Sequence, residues 1–236
     1  MTAGEQDAAS AAKNASFFDA NERYARRIAA LETYRHIRSA INGEIAGARR
    51  LLDVGNGGVF DYDTALAEQV VAVDLFLDEF PSADDGHISL RRGDALALAE
   101  PDGAYDVVLE SAVLHHLVGA DVDSTVANIR QAIDEAHRVL EPGGRLVVME
   151  SCVSPMFYAL ERRLFWALRL LARTPVMRHP ATLQLPPEMI AELIGARFGE
   201  VAVTPIPLGR WIMQFGRRWP SVLTPARPYL FAAIRA

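Results

Sequence analysis

Cysteine is nearly missing from this chain of 236 residues: Cys152 stands alone. A single thiol excludes an internal disulfide and any cysteine-built zinc cage. Nothing at the start resembles a secretory signal, because residues 1–16 are polar and alanine-rich with no apolar core, and they read as a disordered tail on a cytoplasmic protein. No apolar run is long enough to insert stably in a bilayer. The best one, after Ser154-Pro155, is interrupted by Glu161, Arg162, Arg163 and Arg169. Repeats are absent, and the tail is the one low-complexity stretch. There is no basic-aromatic RNA-binding motif, and the acidic first half would repel a phosphate backbone, so nucleic acid is not expected as a partner. Lysine is absent from residues 151–236, which carry 11 arginines and 4 glutamates, net +7. Residues 1–150 carry 13 basic and 26 acidic side chains, net −13. Two readings of that asymmetry stay open. It is a compositional accident with a solvated helix face, or the arginines serve an acidic or polyhydroxylated small molecule.

What remains is the composition of an ordinary globular enzyme, 50% hydrophobic and 23% charged, of a size for one α/β domain with a cap. The most informative stretch is Leu51-Leu52-Asp53-Val54-Gly55-Asn56-Gly57-Gly58, an apolar strand running into a glycine turn. Asp74 follows Gly55 by 19 positions, at the end of a second apolar run, Val70–Val73. Glycines let the backbone turn sharply and approach a ligand, the N-terminus of a following helix favours a negative group, and the acid accepts from ribose hydroxyls. A dinucleotide fingerprint needs a third glycine, or an alanine, at position 60; Phe60 stands there and argues against NAD. The segment Phe60-Asp61-Tyr62-Asp63 is acidic for a helix start, with Asp63 a candidate N-cap.

Residues 17–47 place Phe17, Phe18, Tyr24, Ile28, Leu31, Tyr34, Ile37, Ile41 and Ile45 at helical spacing, predicting one or two amphipathic helices ahead of the sheet. Strands are predicted at 50–54, 70–74, 88–92, 106–109 and 145–150. Helix-like segments separate most of them, the clearest at 123–140, which stops at Glu141-Pro142-Gly143-Gly144. This alternation predicts a parallel sheet covered on both faces. Ser154-Pro155 starts another helix, with an apolar stripe at Phe157, Leu160, Leu164, Leu168 and Leu171 and a basic one at Arg162, Arg169 and Arg173. Such a helix reads as a lid, a dimer surface or a membrane-surface anchor. A helix over 187–198 and strands over 200–205 and 229–235 close the chain.

In their order and spacing these motifs resemble those of class I S-adenosylmethionine-dependent methyltransferases. Leu51–Gly57 resembles the first motif, Asp74 the ribose-binding acid, and Gly93-Asp94-Ala95 the segment whose aspartate meets the adenine amino group. Tyr105-Asp106-Val107-Val108-Leu109-Glu110 resembles the fourth motif, Ser111–Leu117 the turn after it, and Glu135–Gly144 the run into strand five. The turn departs from the family, with Val59 after an extra Gly58 and Asn56 between the first two glycines. The resemblance, close over residues 50–150, implies a Rossmann-like doubly wound α/β fold: a seven-stranded, mostly parallel sheet, with N-terminal helices over 17–49 and a helical lid inserted about 152–186. It implies S-adenosylmethionine as cofactor, S-adenosylhomocysteine as product, and cofactor contacts from Asp53, Gly55, Asn56, Gly57, Asp74, Leu75, Asp94, Ala95 and Glu110. It also implies methyl transfer to a hydroxyl of a small molecule such as a sugar or polyketide. Proximity does most of that work, and a base helps a hydroxyl nucleophile. His115 and His116, just past strand four, are the candidate bases; Glu150 and His179 are secondary candidates. N- or C-methylation on the same scaffold, or cofactor binding without transfer, are the rival expectations. A divalent metal on Asp61, Asp63 and Glu150 is left open without a compact motif, as is a homodimer through the lid helix.

Overall fold

The computed structural model describes residues 31–57, 59–75, 86–172, 181–214 and 217–236. The expected tail, Phe17–Ile28, Gly58, Arg173 and His179 lie outside these residues. Helix α1 (Glu32–Ile45) enters strand β1 (Ala48–Val54) through Gly47, whose φ of +82° suits a residue without a Cβ. Strands β2 (Ala67–Asp74), β3 (Ile88–Arg92) and β4 (Tyr105–Ser111) follow, and then helix α2 (Val122–Val139). Strand β5 (Leu140–Cys152) leads to helices α3 (Pro155–Ala172) and α4 (Pro187–Phe198). Strand β6 (Val201–Pro205), a hairpin of β7 (Trp211–Gln214) and β8 (Arg217–Pro220), and strand β9 (Arg227–Ile234) finish the chain.

The main sheet has seven strands in the order β3-β2-β1-β4-β5-β9-β6. The first five pair in parallel and β9 runs antiparallel between β5 and β6, so the expected seven-stranded, mostly parallel sheet is present. Because β1 to β5 share a direction, their C-terminal ends line one edge, where open α/β sheets hold ligands. The central strands β1, β2, β4 and β5 bury both faces, as parallel strands between two helical layers do. On one face Leu51, Val107, Leu109 and Val147 pack against Ile37, Ile41 and Ile45 of α1. On the other, Leu52, Val54, Val108 and Val148 meet α2 and α4 through Ile129, Ile133, Ile190 and Ile194. Each such aliphatic side chain contributes about 1.5–3 kcal/mol through removal from water.

Helix α2 shows how sequence sets an element. Thr125, Asn128, Ile129, Ala132, Ile133, Ala136 and Val139 recur at three- and four-residue steps on its buried face. Its start is fixed by a capping box: the Asp121 carboxylate accepts from Ser124 N at 2.8 Å, and Ser124 Oγ accepts from Asp121 N at 2.9 Å. The helix stops at Val139, just ahead of 141–144 as expected, and that segment forms an irregular opening of β5. Tyr105 pairs with Leu140 and Val107 with Arg145, so the intervening residues bulge out, with Gly143 at φ +80°.

One expectation needs correction. No α-helix joins β1 to β2 among the described residues of that crossover; only a 3-10 turn, Thr64–Leu66, is present. Asp63 does act as an N-cap, accepting from Ala65 N at 3.2 Å, but of this short turn. Twelve residues separate Val54 from Ala67, near the minimum for a parallel crossover, and Phe60 and Tyr62 fill the space by packing on the α1 face of the sheet. The β3–β4 connection also lacks an α-helix. The hairpin β7–β8 was not expected. No helix of the described residues is long and apolar enough to cross a membrane.

Candidate active site

The glycine turn comes first along the ligand edge. Gly55 and Gly57 sit at φ +75° and +62°, and a Cβ on Gly55 would fall 2.4 Å from Val113 Cγ2. Only glycine meets both demands, a left-handed backbone and close approach to Val113 in the turn after β4. Asp53 is 2% exposed, and its Oδ2 accepts from Asn56 Nδ2 at 2.5 Å and from the Tyr62 hydroxyl at 2.8 Å. Burial pushes its carboxyl up to about 7, against the pull of those two donors. Gly57 N donates to Asp74 Oδ2 at 3.0 Å, which draws the turn onto the tip of β2, beside Leu75. Gly93 N donates to the Asp74 carbonyl at 3.1 Å and so brings Asp94 and Ala95 alongside. Asp94 Oδ1 accepts from Leu96 N at 2.9 Å, an Asx turn.

At the tip of β4 the chain turns through Ala112, whose φ of +57° makes it the one non-glycine residue with positive φ among the described residues. The turn presents Leu114-His115-His116 as a short 3-10 segment. His115 Nδ1 lies 2.6 Å from Glu150 Oε1, and His115 N donates to Glu150 Oε2 at 3.2 Å. Ser151 N donates to Glu150 Oε1 at 2.6 Å. A carboxylate anchored by two backbone donors accepts a hydrogen bond from Nδ1–H and leaves Nε2 as the basic nitrogen, the arrangement of an oriented general base. The His116 ring lies 4.1 Å from that of His115, tilted by 40°. Glu110, 1% exposed on the same face of the sheet, leaves Oε2 without a partner; burial first and then the charge of Glu150 push its carboxyl up to about 7. Asn56 Oδ1 and Ser111 Oγ are also buried without partners.

Helix α3 crosses this edge. Ser154 Oγ accepts from Phe157 N at 3.3 Å, the expected cap. The inner side carries Phe165, Ala172 and Glu161; the leucine stripe Leu160, Leu164 and Leu171 faces outward. Gln184 N approaches Glu161 Oε2 at 3.4 Å, and the adjacent Leu183 N donates to the His115 carbonyl at 3.1 Å. Burial raises the Glu161 carboxyl to about 7, with the nearby His115 pulling it back.

The edge therefore brings together Asp53 with Asn56, Gly57 with Asp74 and, through Gly93, the Asp94-Ala95 segment, and His115 with His116, Glu150 and Glu110. Sequence reasoning missed Ser111, Glu161 and the bond from Tyr62 to Asp53. A signal for Glu161 existed, since it falls four residues before Phe165 and eleven before Ala172, an acid within the inner stripe. Trp166 is 71% exposed, Trp219 is half exposed, and the Arg218 guanidinium lies 4.4 Å from the Trp211 ring centroid, so these aromatics do not form one pocket wall. Among the described residues no three His, Cys, Asp or Glu side chains gather to hold a metal ion.

A glycine turn, an acid at the next strand tip and a seven-stranded sheet with an antiparallel β9 between β5 and β6 give a Rossmann-like fold. Residues 52–148 match the family described as the methyltransferase domain. The chain is 35% identical over 115 residues to the ubiquinone/menaquinone biosynthesis C-methyltransferase UbiE of Dinoroseobacter shibae, an alignment covering 44% of this chain and 42% of that protein. The chain thus matches less than half the length of this curated relative. Two solved structures share the fold. One is the N-methyltransferase NodS from Bradyrhizobium japonicum in complex with S-adenosylhomocysteine, with 17% identity, coverage of 89% of this chain and 90% of that one, and a TM-score of 0.54. The other is the 1,6-didemethyltoxoflavin-N1-methyltransferase of Burkholderia thailandensis with bound 1,6-didemethyltoxoflavin and S-adenosylhomocysteine, with 16% identity, coverage of 96% and 88%, and a TM-score of 0.62.

Proposed function

We propose that this protein is a methyltransferase that moves a methyl group from S-adenosylmethionine to a hydroxyl of a small molecule, with His115 as general base. The observation that carries the proposal is the 2.6 Å contact between His115 Nδ1 and the buried Glu150 carboxylate. The cofactor suits the edge on its own terms: Gly55 and Gly57 turn the backbone there at positive φ, Asp74 stands at the β2 tip for ribose hydroxyls, and the unpartnered Glu110 oxygen suits a cationic group. Bound there, it supplies an activated methyl carbon. The chain's own residues then align the acceptor and hold its proton. Glu150 keeps His115 in the tautomer with a free Nε2, which takes the hydroxyl proton as the oxygen becomes nucleophilic, and Glu150 stabilises the imidazolium that results. Arg210 and Arg227, exposed near the same edge, suit an acidic or polyhydroxylated acceptor.

Transfer to an amine nitrogen is the second reading, favoured by the negative charge of Asp53, Glu110 and Glu150 along the edge. Calorimetric titration with S-adenosylmethionine and S-adenosylhomocysteine, with NAD as control, tests the cofactor; both sulfur compounds should bind, Asp74→Ala should weaken them, and absent binding refutes the whole reading. An acceptor screen then separates the chemistries. For a hydroxyl acceptor, His115→Ala and Glu150→Gln should each lower kcat by about 10²- to 10⁴-fold with cofactor affinity unchanged. An amine acceptor that loses less than about tenfold points to positioning alone. Cofactor binding without any methylated product leaves a binding protein.

A further inference from the structure

The outer face of α3 is apolar in a way its position does not explain. Met156, Leu160, Arg163, Ala167 and Leu170 follow one another at four- and three-residue steps and form one stripe along the helix. Met156 is 83%, Leu160 55% and Leu170 60% exposed; Trp166 at 71% flanks the stripe on one side, and Leu164 and Leu171 flank it on the other. The exposed charges on this face are Arg162 and Arg163, which make no ion pair among the described residues, while Glu161 turns inward and Arg169 donates to the Ala120 carbonyl. A second apolar protrusion stands at the same end of the sheet. Val222 and Leu223 are 83% and 67% exposed with Trp219 beside them, and they precede Arg227, which pairs with Cys152 three residues before α3. Exposed Arg210, Arg218 and Arg227 border it.

From this surface we infer that α3 and the Trp219–Leu223 protrusion dock the protein on an anionic lipid bilayer. Charge decides between occupants. Two copies pairing through the stripe would bring one Arg163 against the other at its centre, with no carboxylate on the face to answer them. An anionic bilayer answers them directly: the apolar side chains enter the acyl boundary while both guanidinium groups reach outward to lipid phosphates. The charge asymmetry of the chain favours the same orientation, because residues 151–236 carry net +7 and residues 1–150 net −13. The assignment rests on the outer face of α3 and is independent of the chemistry assigned to His115.

Flotation of the full-length protein with vesicles tests it. Phosphatidylcholine vesicles alone are compared with vesicles in which about a third of the lipid is phosphatidylglycerol. The protein should float with the anionic vesicles, remain unbound with phosphatidylcholine, and release as added salt shortens the screening length to about 3 Å. Binding should shift tryptophan emission to the blue, a shift that Trp166→Phe reduces. Arg162→Gln with Arg163→Gln should weaken binding about thirtyfold, since each surface arginine contributes roughly a factor of five. Leu160→Ser with Leu170→Ser should abolish it while leaving the circular dichroism spectrum and S-adenosylhomocysteine affinity unchanged. Failure to float with anionic vesicles, or flotation unaffected by both paired variants, overturns the proposal. So does sedimentation showing a dimer that Leu160→Ser with Leu170→Ser dissociates, which would make a second copy the occupant. Loss of S-adenosylhomocysteine binding with flotation intact would count against the proposed enzyme chemistry and leave the surface assignment standing.

Discussion

Glu110 carries a cost that can be measured without knowing the acceptor. Its side chain is 1% exposed, one oxygen has no partner, and its carboxyl rises from an ordinary value of 4.5 to about 7, through burial and then the charge of Glu150. Between those two values the folded protein keeps a proton that the unfolded chain has already released, so stability falls as pH rises through the window and is lowest above 7. Complete deprotonation at Glu110 therefore costs about 3 kcal/mol, of which roughly 2 kcal/mol accrues between about pH 5.5 and about pH 8. Glu110→Gln keeps the shape and removes the charge. The variant should gain about 2 kcal/mol more at about pH 8 than at about pH 5.5, which for a domain of this size moves Tm upward by roughly 4–8 °C more at the higher pH. Thermal melts followed by circular dichroism at the two pH values, without ligand, make the comparison. A Tm difference between variant and parent that is the same at both pH values would refute the reasoning, because the buried carboxylate would then not be the titrating group.

Tyr62→Phe removes one of two donors to the buried Asp53 carboxylate. It should destabilise the fold by about 1–3 kcal/mol above the carboxyl value of about 7, where Asp53 is charged, and by less below it; urea unfolding on either side of that pH checks the difference. Gly55→Ala places a Cβ 2.4 Å from Val113 Cγ2 on a backbone at φ +75°. A loss of about 3 kcal/mol is expected, about half from the left-handed backbone and half from overpacking, and adding Val113→Ala should recover only the second half in denaturant titrations.

The strands were legible where both faces are buried. Leu51–Val54, Val70–Val73 and Val107–Leu109 read as apolar runs because a parallel strand between two helical layers has no polar face, and β3 falls at its expected bounds, Ile88–Arg92. The starts of β1 and β2 escaped because Arg49, Glu68 and Gln69 are exposed ends of the strands, where side chains reach water. Hairpin β7–β8 escaped for a related reason: four-residue strands with Arg217, Arg218 and Pro220 carry no clear two-residue alternation. At the site, single residues were legible and their partnerships were not. His115, His116 and Glu150 all stood out, yet 35 positions separate His115 from Glu150, and only the register of β4 against β5 joins them.

The turn after β1 shows most clearly how a correct local motif can sit in an altered setting. A helix beginning at this turn would aim free backbone N–H groups and a partial positive charge at the ligand, the arrangement that holds a pyrophosphate. Among the described residues of this crossover there is only the 3-10 turn Thr64–Leu66, and Tyr62 and Asn56 direct their donors back to Asp53 instead. Three of the four buried acids among the described residues, Asp53, Glu110 and Glu150, stand near the C-terminal ends of β1, β4 and β5, and the fourth, Glu100, binds the Tyr105 hydroxyl at 2.5 Å. With the positive helix end missing and carboxylates gathered, a pyrophosphate meets repulsion where a sulfonium or ammonium meets attraction. Phe60 at the position of a third glycine argues against a dinucleotide, and the charge of the edge argues the same way. A cationic ligand seated beside Glu110 would hold that carboxyl in its charged form and offset the stability lost there, so binding should tighten as pH rises toward 8 and raise Tm more at that pH than at about 5.5.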